Sequence, residues 1–283
     1  MSALPFVDPA AFRALEHAGW EGSVDGYDAG FRTLTAQAID PLLDAAGVGP
    51  GVRVLDEATG PGYVAAAAAA REAIVTAGDF SAAMVAEARR RHPDLDIQAA
   101  DAEALPFPDG SVDAVVMNIG VLHLAQPDLA FAEAHRVLRP GGRFAFTAWA
   151  TPEVSVGLGM VLRATQTHGT SEVPLPSGPP FFRFSDPEEC RRALEAVGFT
   201  DVLSTVLPLL WRFPDAEAVF AAIQQGTVRT AALLRAQSPE ALAAIREAVR
   251  AEAATYATAS GVEVPMGAVL TSARKPGSRD PNT

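Results

Sequence analysis

The chain has 283 residues, 49% of them hydrophobic, enough apolar material for one large core with a smaller appended lobe. Its formal net charge of −12 repels phosphate backbones and anionic membrane surfaces, and no Lys/Arg stripe interrupts that background, so nucleic-acid binding is disfavoured. The single cysteine, Cys190, rules out an intrachain disulfide and a cysteine-based metal site; it reads as a packing residue of a helix.

The opening MSALPFVDPAAF lacks the basic segment and apolar run of a secretory leader. The longest apolar stretch, residues 64–70, is mostly alanine and too short to span a bilayer, so the chain is expected to be soluble and cytoplasmic, with no membrane partner. Residues 9–18 and 31–46 carry apolar side chains at helical spacing, on either side of a Gly-rich break at 19–30. The pattern then alternates. VRVLD (52–56), AIVTAGD (73–79), DIQAAD (96–101), VDAVVMN (112–118) and GRFAFTAW (142–149) read as strands. Residues 63–71, 81–91 and 129–138 read as the helices between them, with Ser81 as an N-cap. Buried strands separated by helices predict a parallel sheet covered on both faces.

After residue 152 the composition changes. A Pro/Gly-rich loop, VPLPSGPPFFRF (173–184), precedes a helix at 187–197. Stretches 202–213 and 264–273 each read as one strand, with helices predicted at 215–234 and 239–257 between them. The expected organisation is an N-terminal helical cap (1–46), a nucleotide-binding core (47–151), the rest of the sheet with a helical lid insertion near 215–257 (152–274), and a disordered tail (275–283). The fold class is therefore α/β: a doubly wound, mostly parallel seven-stranded sheet with helices on both faces, N-terminal helices and a C-terminal helical lid.

Asp56 and Asp79 close the first two strands and Asp101 follows the third, so all three carboxylates are expected at one crevice, because ligands of such sheets bind at the C-terminal strand ends. In the turn DEATGPG, Gly60 and Gly62 let the backbone approach a ligand closely, and the following helix offers free N–H groups. This suits a dinucleotide or an adenosyl sulfonium compound. A dinucleotide fingerprint wants a third glycine where this chain has Ala65, and the third acid, Asp101, suits an adenine amine beyond the ribose hydroxyls. No G-x-S-x-G, H-E-x-x-H or P-loop pattern occurs, and the five histidines lack metal-ligand spacing. His123 lies just past the fourth strand, where it would serve as a general base or organise its loop; His135 reads as structural.

VLDEATGPG, GDFSAAM, DAEALPFPDGSVDAVV and RVLRPGGRFAFTAW resemble, in order and over about 100 residues, the motifs of class I S-adenosylmethionine (SAM)-dependent methyltransferases, with a core like that of the ubiquinone/menaquinone methyltransferases. The family usually has glycine at Ala58. The resemblance implies SAM as cofactor and a site made of Tyr27, Asp56, Ala58, Gly60, Gly62, Asp79, Phe80, Met84, Asp101, Ala102, Asn118 and Ile119, with no metal. In it Gly60 and Gly62 would pass under the methionine part and Asp79 would accept from the ribose hydroxyls. Phe80 and Met84 would pack on adenine; Asp101, beside the Ala102 backbone, would bond its amine. Asn118 and Ile119 would line the sulfonium end, Asp56 would meet the ammonium or hold the loop, and Tyr27 would fold over the cofactor or pack in the core. The implied reaction is methyl transfer to an O, N or C nucleophile of a small apolar or aromatic acceptor by a monomer or homodimer. The alternatives are a SAM-binding protein without methyl transfer and an NAD(P)-dependent enzyme. Phe181, Phe182 and Phe184 would line an acceptor pocket or anchor their loop.

Overall fold

The computed structural model describes residues 8–277; the first seven residues of the expected cap and the last six of the expected tail lie outside the described residues. Asp8 opens α1 (Pro9–Glu21), its carboxylate accepting from the Ala10 and Ala11 N–H groups, with Pro9 preset for the first turn. The glycine-rich stretch 19–30 is not a break. It contains α2 (Val24–Gly30). Its glycines serve close packing: a Cβ on Gly26 would lie 2.2 Å from the Gln225 carbonyl oxygen, and one on Gly30 would lie 3.1 Å from Ala222 Cβ. The continuous helix expected at 31–46 is instead α3 (Arg32–Thr35), a 3-10 turn and α4 (Ile39–Ala45).

The core then runs β1 (Arg53–Glu57), α5 (Tyr63–Ala70), β2 (Ile74–Asp79), α6 (Ala82–Arg91), β3 (Asp96–Ala99), β4 (Val112–Asn118), α7 (Pro127–Val137) and β5 (Leu138–Trp149). Ser81 caps α6 as expected, accepting from the Met84 N–H. There follow α8 (Val156–His168), α9 (Pro187–Ala196), β6 (Thr200–Leu207), β7 (Leu210–Phe213), α10 (Glu217–Gly226), α11 (Arg229–Arg235), α12 (Pro239–Ala253), β8 (Ala257–Thr258), β9 (Gly261–Pro265) and β10 (Ala268–Arg274). The main sheet has seven strands in the order β3-β2-β1-β4-β5-β10-β6. β10 is antiparallel to both neighbours and the β3-β2-β1-β4-β5 pairings are parallel. This is the doubly wound, mostly parallel sheet that the alternation of elements predicted.

The two long strands expected near the C-terminus each divide. Pro208, which cannot donate to a ladder, separates β6 from β7, and 266–267 separate β9 from β10. β7, β9 and β8 form a second, three-stranded antiparallel sheet. The helix expected over 215–234 is cut at Thr227, whose hydroxyl donates to the Ile223 carbonyl and accepts from the Ala231 N–H. The expected tail starts too early. Lys275 is tied down, its N–H to Gly142 and its ammonium to the His135 and Leu138 carbonyls.

Aromatic side chains of β5 and α7, with Cys190 and Leu194 of α9, fill one face of the main sheet. α4, α5 and α6 cover the other. A further apolar cluster joins α3, α8, α10, α12 and the small sheet around Trp211, whose indole N–H donates to the Gly30 carbonyl. The strand order reverses at β1/β4, which opens a crevice at their C-terminal ends.

Candidate functional site

One large cleft occupies that crevice, with about 1310 Å³ of non-protein space counting its mouth. Its walls include Tyr27, Ala58, Gly60, Asp79, Phe80, Met84, Asp101, Ala102, Asn118, Ile119 and His123.

The turn after β1 is braced from below. Asp56 is buried; one carboxylate oxygen accepts from the Thr59 hydroxyl at 2.5 Å and the Ala65 N–H at 3.0 Å. It does not line the cleft, so of its two expected roles only holding the loop fits. Burial pushes its carboxyl up to about 7, the two hydrogen bonds acting against that rise and nearby Asp79 adding to it. Gly62 does not line the cleft either. It is left-handed (φ 86°), and a Cβ there would lie 2.9 Å from His92 Cδ2, so the glycine lets α5 pack on α6 instead of making room for a cofactor. Gly60 does face open space: a Cβ would meet nothing within 4 Å.

Asp79 ends β2 with each carboxylate oxygen on a backbone N–H, from Gly60 and from Ser81, both at 2.9 Å. Burial pushes its carboxyl above the ordinary aspartate range, and the Ser81 and Gly60 N–H groups and His123 pull the other way. A carboxylate has about four lone-pair sites, so Asp79 keeps acceptor capacity toward the cleft. Phe80 and Met84 sit with Trp20 and Val228 in one small cluster. Asp101 is not free, as the sequence suggested. It pairs with Arg13 of α1 and accepts from the Glu103 N–H at 2.9 Å. Asn118 donates to the Thr35 carbonyl and accepts from Thr147, which in turn accepts from the Ile119 N–H. Ala58 and Ile119 both adopt positive φ, 51° and 55°. The glycine usual at position 58 is thus explained by its backbone. Gly120 makes room for the Ala58 methyl, since its own Cβ would lie 2.8 Å away.

Beyond Asn118 the cleft widens into a chamber of Phe31, Leu122, Trp149, Leu158, Phe181 and residues 226–230. Tyr27 hydrogen-bonds Thr35 at 3.0 Å, stacks on Phe31 and lines the cleft. The phenylalanines after Pro180 divide their work. Phe181 lines the chamber, whereas Phe184 is buried against Phe131 and Phe146.

His123 presents Nδ1 to the Glu16 carboxylate of α1 at 2.9 Å, with the Trp20 ring edge-on at 4.8 Å. Glu16, Arg13, Arg229 and the chamber residues Leu158 and Trp149 were not singled out from the sequence. Glu16 did carry a signal: Phe12, Glu16 and Trp20 form one buried stripe of α1, so an acid stands in the middle of an apolar face. No cluster of metal-ligating side chains occurs among the described residues.

A sheet of this order, with acids ending β1 and β2 and its cleft at the switch point, defines a class I methyltransferase architecture. Residues 55–146 match the family model of a methyltransferase domain. A demethylmenaquinone methyltransferase of Beutenbergia cavernae is 46% identical over 110 residues, covering 39% of this chain and 46% of that protein. A ubiquinone/menaquinone biosynthesis C-methyltransferase of Rubrivivax gelatinosus is 43% identical over 103 residues, covering 36% and 41%. The chain matches about half the length of these curated relatives. The [4+2]-cyclase SpnF shares the fold at a TM-score of 0.53 and 24% identity, over 86% of this chain and 82% of that one. Over this segment the chain is similar to SAM-dependent methyltransferases. No helix among the described residues is long and apolar enough to cross a membrane.

Proposed function

We propose that this chain transfers the methyl group of SAM to a small, apolar or aromatic acceptor. The observation that carries the reading is the continuity of one cleft, from Asp101 at one end through Gly60, Asp79 and Asn118 to the aromatic chamber around Phe31 and Trp149. The residues present fit the donor. Asp79 would accept from its ribose hydroxyls, and Phe80 and Met84 would flank its adenine. Asp101 retains lone pairs for the amine beside the Ala102 backbone. Gly60 leaves the backbone bare where the methionine part would lie, and Tyr27, Ala58, Asn118 and Ile119 would surround the sulfonium end. Asp56 and Gly62 would act by shaping the turn. Bound there, SAM would supply an electrophilic methyl carbon.

The protein's contribution would be to hold an acceptor in line and to keep the chamber dry. α1, α2 and the 215–257 insertion would form the walls and lid, since α1 and residues 226–230 reach the cleft from outside the sheet. His123 would take the proton of a protic acceptor. The names of the aligned relatives concern quinones, and an apolar aromatic chamber suits a ring of that kind. Those alignments cover under half of this chain, so the acceptor is argued from the chamber alone. The net charge of −12 fits a small acceptor better than nucleic acid.

The test is ligand-dependent stability. S-adenosylhomocysteine at 100 times its dissociation constant should add about 2.7 kcal/mol, measured as a rise in melting temperature, and NADH should add nothing. Stabilisation by NADH alone would falsify the reading.

A further inference from the structure

Glu16 is fully buried, 107 positions from His123 in sequence, and among the described residues its only side-chain hydrogen bond is to His123 Nδ1. Its other oxygen, Oε1, has no partner among the described residues. With Glu16 as the accepting carboxylate, Nδ1 carries the proton and donates. In a neutral imidazole that leaves Nε2 bare, on a ring that lines the cleft beside the aromatic chamber. A bare ring nitrogen backed by a buried carboxylate is a proton acceptor whose conjugate cation has its counter-charge already in place. The Trp20 edge packed on the imidazole fixes its plane.

The surroundings restrict what else governs this pair. On α1 it is faced by Glu16 itself. From β2, Asp79 lies near enough for His123 to influence its ionisation. From α11, Arg229 donates to the Leu122 carbonyl next to His123 and to the Pro179 carbonyl, and its guanidinium lies over the Phe12 and Phe181 rings. Arg229 has no ion-pair partner within 4.0 Å among the described residues, but it feels the charge of Glu16.

We propose that Glu16 is the positioning residue that makes His123 a general base through Nε2, and that the acceptor carries a weakly acidic hydroxyl, phenolic or enolic, on a planar apolar ring. This rests on the methyl-transfer reading above. An aromatic chamber with one proton-accepting nitrogen matches such a group. A neutral phenol or enol is a poor nucleophile until its proton leaves. The balance is simple. The acceptor oxygen bonds the methyl carbon, that carbon's bond to sulfur breaks, and sulfur keeps the electron pair. The hydroxyl proton passes to Nε2, Glu16 offsets the resulting imidazolium, and solvent takes the proton once the product leaves.

The first experiment reads the tautomer directly. In protein carrying 15N-labelled histidine, multiple-bond proton–nitrogen spectra should find neutral His123 protonated on Nδ1 in the wild type and mainly on Nε2 in Glu16→Leu. A wild-type His123 protonated on Nε2 overturns the proposal without any variant. The second uses 4-nitrophenol with the S-adenosylhomocysteine complex, so no turnover is required. At a pH where the free phenol is mostly protonated, the visible phenolate band should grow on binding. In Glu16→Gln, which keeps the shape and loses the charge, bound phenol should be less ionised by about tenfold, one unit of acidity. An equal band in Glu16→Gln, or no binding of the phenol, overturns the assignment. Failure of S-adenosylhomocysteine to bind brings down the donor reading instead, and the tautomer measurement still judges the pair.

Discussion

The two ends of the cleft are built in opposite ways. The donor end is local: Gly60, Asp79, Phe80, Met84 and Asp101 each sit at or just after a strand end, within some 40 positions of one another. The chamber end is assembled from distant parts of the chain: Glu16 on α1, Phe31 before α3, Trp149 ending β5, Leu158 on α8, Phe181 in a loop and Arg229 on α11. A site made of strand ends inherits its geometry from hydrogen-bonded ladders and tolerates little change. A site made of packed helices and loops can change its acceptor while the sheet stays constant. The family-model match, over residues 55–146, leaves out Glu16, Phe31, Trp149, Leu158, Phe181 and Arg229.

The comparison can be broken most strongly at Asp79. Asp79→Ala removes a charged acceptor for two ribose hydroxyls; at about 1.5–3 kcal/mol for each such bond, S-adenosylhomocysteine should bind about 100-fold or more weakly in calorimetry. Affinity within twofold of wild type would detach Asp79 from the donor site.

Next comes Glu57, at the end of β1. It is buried, both its carboxylate oxygens lack a partner among the described residues, and burial together with the charges of Asp56 and Glu133 pushes its carboxyl well above the usual range. A carboxyl raised in the folded state gives stability that is complete below its unfolded value and is lost as pH rises toward the folded one. Asp56 acts in the same direction, with its loss running from the ordinary aspartate range up to about 7. The protein should therefore melt lower at pH 8 than at pH 5. Glu57→Leu should stabilise it by about 1–3 kcal/mol at the higher pH, or about 2–4 °C per kcal/mol, with less gain in acid. A variant that melts lower than wild type at pH 8 would mean that Glu57 has a partner in solution.

Phe181→Ala sharpens the contrast from the other side. It should raise the Michaelis constant for an aromatic acceptor by about tenfold, roughly 1.4 kcal/mol, with S-adenosylhomocysteine affinity unchanged. A matching loss of donor affinity would show the two ends to be one energetic unit. The smallest effect is expected at Ala58. Its left-handed backbone strains any residue with a Cβ, so Ala58→Gly should stabilise by about 1 kcal/mol or less, seen as a small rise in melting temperature.

How much could be read from the sequence follows the same division. The strands ending at Asp79 and Asn118 stand within one residue of expectation, because β-branched runs bounded by turn residues signal themselves locally. Around α2 the reading failed. Gly26 and Gly30 look like breakers until α10 is known to lie against them. The 202–213 stretch reads as one strand because apolar character continues through Pro208, and only the pairing partners reveal two sheets. At the site, Gly62 was assigned to the cofactor by its place in the turn, but His92 takes up its space. Asp101 seemed available until Arg13 arrived from α1.

By itself the sequence determined the alternation of strands and helices and the acids at the strand ends, since each of these depends on contacts a few residues long. Tertiary structure alone decided that residues 226–230 reach the same cleft as the strand ends and that Glu16 meets His123. Those contacts join positions about a hundred residues apart, and only the packed core, which pays the entropy of bringing them together, specifies which side chains meet.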